Sequence, residues 1–224
     1  MIDLLRSPDA GAALVLQRGR LRIALAGVAV ATAFAAIASA RLATEIRIQD
    51  VVFGPGRSPL IGVLIEALGV DLTAVLVYTV DRAFGYLVLA TAFTPIFLWL
   101  LGATAVHAAA RLRGSRAPLR PFLVLFGYAT ALSRVPADAT AALLGGAGPV
   151  GAQLVQAIGL LGLVWLGVVV WRGIVVHYGA VGDRALSILL QATVLFYLGP
   201  LLLILLAAVS VVIAANVLEI FTAP

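Results

Sequence analysis

Residues 21–40 read LRIALAGVAVATAFAAIASA, a run with one charge, at Arg22, and with Arg18 and Arg20 just ahead of it. About 20 apolar residues are what an α-helix needs to cross the hydrocarbon core of a bilayer. The run closes on Ala38-Ser39-Ala40, a pattern resembling a signal-peptidase site. We read the segment as an uncleaved first membrane span, and the remaining chain repeats its character.

The composition agrees with that reading. Of the 224 residues, 63% are hydrophobic and 11% charged, and the mean hydropathy is +1.14. Soluble domains run near half apolar and a quarter charged, and a soluble core of this size cannot hide so much apolar surface. The formal charge of +5 comes from 15 basic and 10 acidic residues. The arginines sit at the ends of apolar stretches and not along a polar face, so they read as topology signals with a secondary attraction to anionic headgroups, and nucleic acid is not an expected partner. The chain has no cysteine, which excludes disulfides, thiolate metal sites and cysteine nucleophiles.

Further apolar segments follow at 84–110, 121–144, 150–171 and 188–217. With 21–40 they predict an all-α, polytopic membrane helix bundle of five transmembrane helices, a single membrane domain over 1–224 with a short cytoplasmic N-terminus over 1–20. Turns are expected at Gly54–Pro59 and at Gly145–Pro149. A kink or an interfacial first turn is expected at Gly199-Pro200, because the last apolar stretch exceeds one crossing.

The segment 59–80 is apolar but carries Glu66 and Asp71. As a sixth span it would bury both acids at about 3 kcal/mol each, and it would move the cluster Arg111, Arg113, Arg116 and Arg120 to the opposite side. We therefore place it at the outer interface, as an amphipathic or partly re-entrant element. With five spans, Arg6, Arg18, Arg20 and Arg22 share a side with that cluster and with Arg172 and Arg184. The positive-inside rule then makes the N-terminus cytoplasmic and the C-terminus external, in a multi-pass protein of the cell (cytoplasmic) membrane.

The most informative polar residues are Arg134 and Asp138. Four apart, they share one helix face and can form an ion pair. Arg134 lies about 20 Å along the helix from Arg120 at 1.5 Å per residue, past the midplane toward the outer leaflet. Charges at such depth are costly and face the bundle or a wet cavity. Pro136 removes one helical hydrogen bond, and the freed carbonyl is within the reach expected of Arg134. Two readings stand: a polar pocket for a headgroup, ion or small anion, or a self-satisfied pair in a kinked helix. Tyr128, Gln153 and Gln156 complete the candidate ligand-binding set, and Thr91 and Thr94 precede Pro95 in the expected second span. In lipid such side chains also serve simply as hydrogen-bonded links between helices.

No residue set predicts catalysis. GxSxG, HExxH, P-loop and dinucleotide fingerprints are absent, and no histidine lies at the depth of Ser133. His107 and His177 lack an adjacent carboxylate and make a poor metal site. No cofactor is expected. Trp99 and Trp165 read as packing or lipid-facing residues, and Trp171, beside Arg172, as an interface anchor. Gly159, Gly162 and Gly167 thin one side of the fourth span, a surface for close helix approach within the bundle or between copies.

A series of short motifs runs through this layout. Leu4-Leu5-Arg6-Ser7-Pro8 precedes the first span, and Leu100-Leu101-Gly102 leads through His107 to Ala110-Arg111-Leu112. Phe122 to Phe126 reaches Gly127-Tyr128, and Val164-Trp165-Leu166 is followed by Arg172-Gly173, His177-Tyr178-Gly179 and Asp183-Arg184-Ala185-Leu186. Their order resembles the prokaryotic branch of the YIP1 domain family over nearly the whole chain. The resemblance implies the YIP1-like five-helix fold with a cytoplasmic N-terminus. In eukaryotes the family is associated with Golgi and endoplasmic reticulum trafficking and with Rab GTPases. The long cytosolic N-terminal region of those relatives has no counterpart in the roughly 20 residues that precede the first span here.

The leading expectation is a non-enzymatic membrane protein that organises the bilayer or scaffolds partners. Those partners are membrane lipids, further copies of the chain, and membrane or cytosolic proteins. The alternative is a lipid, ion or small-solute transporter or channel working through Arg134 and Asp138.

Overall fold

The computed structural model describes residues 4, 6–45, 52, 59–144 and 148–222. Every element among them is a helix: α1 Pro8–Arg18, α2 Leu21–Glu45, α3 Pro59–Leu68, α4 Val70–Thr91, α5 Thr94–Leu112, α6 Leu119–Leu144, α7 Gly148–Tyr178 and α8 Asp183–Thr222. The expected turns at Gly54–Pro59 and Gly145–Pro149 lie largely outside the described residues.

α6 is the hub. Thirteen of its 26 residues are buried, and it packs most extensively on α2 and α7, then on α5 and α1. Lipid tails are as apolar as leucine, so helices in a bilayer gain little from the hydrophobic effect and associate through close packing and hydrogen bonds. Small residues supply the packing. Gly27 abuts the Ala131 methyl, Gly127 abuts Ala24 and the Trp99 indole, Gly162 rests on the Ser133 backbone, and Gly173 faces Leu125 and Phe122. These contacts also give direction: α2 runs parallel to α6, whereas α7 runs antiparallel to it. Trp99 is thus a core residue, with Nε1 donating to the Leu123 carbonyl at 2.8 Å.

The α1–α2 turn requires Gly19, where a Cβ would lie 2.4 Å from the Val15 carbonyl oxygen and 2.8 Å from Val124. α5 ends on Gly114 at φ +83°, with the Ser115 N–H closing on the Ala110 carbonyl at 3.0 Å. A side chain at that φ would be strained.

Five helices are long and apolar enough to cross a membrane: Leu21–Ala43, Val70–Thr91, Thr94–Leu112, Gly148–Tyr178 and Asp183–Leu201. The number matches expectation, but the membership differs. The span expected over 84–110 is interrupted at Ala92 and Phe93, whose N–H groups make short-range bonds to Leu89 and Ala90, each 3.1 Å. Pro95 is the physical reason, since it lacks an N–H and its ring crowds the carbonyl four residues earlier. The interfacial element expected over 59–80 likewise divides at Gly69, with α4 continuing to Thr91.

The expected span over 121–144 is α6, which is not among the five. Its Arg134, Pro136 and Asp138 dilute the apolar run, and its neighbours, not lipid, cover much of its surface. α6 nevertheless accompanies α2 from Ala24 beside Gly127 to Arg41 beside Ala142. The expected spans over 150–171 and 188–217 fall inside α7 and α8, and α8 passes through Pro200 without interruption.

One end of the bundle is basic. Arg20, Arg22 and Arg120 surround a common cavity, Arg172 Nε meets Asp9 Oδ1 at 3.1 Å, and Arg184 Nη2 donates to the Arg113 carbonyl at 2.6 Å. α2 and α6 begin at this end, and α5 and α7 finish there. Thr91 and Thr94 meet Ser39 and Arg41 around a cavity at the far end. α2 thus reaches the far end and α5 departs from it.

Candidate functional site

Arg134 and Asp138 occupy successive turns of α6, and the side-chain spacing works as the helix period requires: Arg134 Nη2 donates to Asp138 Oδ1 at 2.5 Å. The pair is not self-contained. Asp138 is 5% exposed, yet its Oδ2 has no hydrogen-bond partner, and neither has the buried Arg134 Nε. The carbonyl freed by Pro136 does not recruit Arg134 as expected, because the guanidinium is committed to Asp138. A buried acceptor left unmade costs about 1–3 kcal/mol, and more when charged.

Both groups face a cavity of about 370 Å³ at the far end of the bundle. α2 contributes Ser39 and Arg41, Thr91 closes α4, Thr94 opens α5, and α7 supplies Ala152, Val155 and Gln156. Ser39 is held at 2.8 Å from the Thr91 hydroxyl. Thr91 itself donates to the Val88 carbonyl at 2.5 Å, so the Ser39 hydroxyl is the donor in the inter-helix bond. The segment resembling a signal-peptidase site is thereby the interior of a packed helix. Arg41 Nη1 donates to the Ala142 carbonyl and reaches the Leu143 carbonyl at 3.4 Å, where a cation meets the negative end of the α6 dipole.

Of the sequence-predicted set, Arg134, Asp138 and Gln156 come together around this cavity. Tyr128 is buried in the apolar core nearer the basic end, and Gln153 is exposed. Neither lines the cavity. Arg41 and Ser39 do line it but were absent from that set, because a charge near a helix end reads as a topology signal and a serine among alanines as a small residue. Their signal was the helix period: Ser39 falls on the same face as Ala24, Val28, Ala31 and Ala35, all buried.

The lining offers two kinds of recognition. Guanidinium N–H groups bind phosphate or carboxylate oxygens, and a carboxylate accepts from a hydroxyl, ammonium or water, although the unpartnered Asp138 oxygen itself is buried. Among the described residues no cluster of three His, Asp or Glu side chains is placed to hold a metal ion.

A second polar feature lies at the basic end. His107 Nδ1 is 3.1 Å from the Tyr178 hydroxyl, and His177 Nε2 donates to the Pro118 carbonyl at 2.8 Å. Phe122 packs against both Tyr178 and His177, with ring centroids 5.1 and 6.0 Å apart. The histidines thus tie α5 and α7 to the loop before α6. Trp171 packs against the adjoining core.

No protein-family model matches the chain, and neither does any curated protein or solved structure.

Proposed function

We propose that this is a non-enzymatic, multi-pass membrane protein that binds a small polar group, a lipid headgroup or a solute, in the cavity of Arg134 and Asp138, and that handling this ligand in the membrane is its function. One observation carries the reading: an intramembrane Arg134–Asp138 pair, with one buried carboxylate oxygen left without a hydrogen bond, lines a cavity that also presents the Arg41 guanidinium. Ionisable groups within membrane helices are costly and often line substrate or ion paths. A purely structural pair would be expected to use its oxygens internally.

Native mass spectrometry of the protein released from mild detergent tests it, comparing wild type with Arg134→Ala. A discrete lipid or anion retained by wild type and lost in the variant supports the proposal. Identical ligand-free spectra for both proteins would sink it.

A second reading, a scaffold that organises the bilayer by self-association, is favoured by α7. Gly162 is used inside the bundle, but nothing lies within 4 Å of a Cβ placed at Gly159 or Gly167, and Leu160, Leu161 and Val164 between them are exposed. That face accommodates a second copy or another membrane protein. The order of short motifs resembling the prokaryotic YIP1 branch supports either reading, since it concerns fold alone.

For orientation, the gathering of arginines at one end supports a cytoplasmic N-terminus in the cell membrane and an external C-terminus. Because the chain has no cysteine, a single cysteine introduced at Ser115 reports this directly. Labelling of intact cells by an impermeant maleimide at that position would overturn the orientation.

A further inference from the structure

The arginines at the basic end divide into two groups. Arg111, Arg113, Arg172 and Arg184 are engaged by the protein: Arg111 Nη1 donates to the Ser115 carbonyl at 3.2 Å and Arg113 Nε to Gln191 at 3.4 Å, while Arg172 and Arg184 hold Asp9 and the Arg113 carbonyl. Arg6, Arg18, Arg20, Arg22, Arg116 and Arg120 have no hydrogen-bond or ion-pair partner among the described residues, and of these Arg20, Arg22 and Arg120 line one cavity of about 580 Å³.

The rest of that cavity is amphiphilic. Val15, Leu16, Pro121 and Val124 supply apolar wall, and Gln17 a further polar group. The first turns of α2 and α6 both open onto it, because these helices run parallel. Their orphan N–H groups add the positive ends of two helix dipoles to the three guanidinium groups. Among the described residues no carboxylate lines the cavity to balance that charge. A cluster of unpartnered cations beside apolar wall, at the mouth of a membrane bundle, matches an anion joined to a hydrocarbon chain.

We propose that this cavity is a site for an anionic glycerophospholipid, with its phosphodiester held by Arg20, Arg22 and Arg120 and its acyl chains laid along Val15, Leu16 and Val124. The site is independent of the Arg134 cavity at the opposite end. It ties the α1–α2 turn to the start of α6, so an occupant clamps two helices that are distant in sequence.

The test uses the full chain in mild detergent, stripped of lipid and then offered phosphatidylglycerol or phosphatidylcholine at equal concentration, with adducts counted by native mass spectrometry. Phosphatidylglycerol should be retained in preference to phosphatidylcholine. Arg120→Gln and, separately, Arg20→Gln should each weaken retention about fivefold, the usual effect of one arginine near an anionic lipid surface. Arg111→Gln, at the same end but outside the cavity, should leave retention unchanged. Equal retention of the two lipids would overturn the proposal. So would equal weakening by Arg111→Gln, which signals diffuse attraction with no defined site. Displacement of the lipid by soluble glycerol phosphate at matching concentration would assign the cavity to a free phosphate ester instead. The two cavity variants lie in different parts of the chain, and the wild-type lipid comparison stands should either fail to fold.

Discussion

Replacing Gly162 by alanine should loosen α7 from α6, and the size of the effect follows from the contact. A Cβ at Gly162 would lie 2.6 Å from the Ser133 carbonyl oxygen, whereas ordinary van der Waals contact begins at 3.4 Å. The obstacle is backbone, so one helix must retreat by about 0.8 Å, or the Ser133 peptide must tilt, and overpacking of this kind costs about 1–3 kcal/mol. Alanine also returns up to about 1 kcal/mol of helix propensity relative to glycine. Gly159→Ala and Gly167→Ala are the internal controls. They sit on the same helix and gain the same propensity, and nothing lies within 4 Å of the added methyl. The difference between Gly162→Ala and these controls therefore isolates the steric term, about 1–3 kcal/mol. Reversible unfolding from mixed micelles, followed by tryptophan fluorescence, measures it. Equal midpoints for all three variants would refute the α6–α7 contact. Because α7 also carries Ala152, Val155 and Gln156, the same variant should alter the Arg134 cavity.

Arg134→Met leaves Asp138 enclosed without its partner and should cost about 3–5 kcal/mol in the same assay, whereas Arg134→Met with Asp138→Leu should recover most of that loss or exceed wild type. A single variant as stable as the double would show that no ion pair forms. Trp99→Phe removes the hydrogen bond to the Leu123 carbonyl and should cost about 1 kcal/mol; it should also delete the most blue-shifted part of the tryptophan emission, since Trp99 is 7% exposed. Emission unchanged in position after that substitution would place Trp99 outside the core.

Much of the bundle was legible because lipid imposes a coarse rule that composition reveals. The grouping of Arg18, Arg20 and Arg22 with Arg111 to Arg120 needed only alternation of direction between apolar runs, and the contacts agree. α6 was legible as a helix but not as the enclosed one, because hydropathy does not distinguish burial in protein from burial in lipid. The division of 84–110 was carried by Pro95, which had been seen only as a neighbour of Thr91 and Thr94. In the candidate site, Arg134 and Asp138 were legible from local spacing alone. Arg41 and Ser39 were not, since they arrive from about a hundred residues upstream and only the parallel pairing of α2 with α6 brings them in. Tyr128 and Gln153 were chosen by depth in the membrane, and depth says nothing about which side of a helix a residue occupies.

That parallel pairing has a consequence for biogenesis. The small-residue face of α2, from Ala24 to Ser39, finds its main partner in α6, whose Gly127 and Ala131 follow about a hundred positions later. At typical elongation rates of about 5–20 residues per second, α2 waits roughly 5–20 s after its own synthesis before α6 exists. During that interval Arg41 has no α6 carbonyl to meet, and the Ala/Gly face is open to any neighbouring helix in the membrane. The nascent protein is thus a different molecule from the finished one: until α6 appears, α2 has only α4 and α5 of its bundle partners to pack against, and its Ala/Gly face lacks the main one. Insertion factors that shield such faces would act on this chain within that window and have nothing left to hold once α6 has docked.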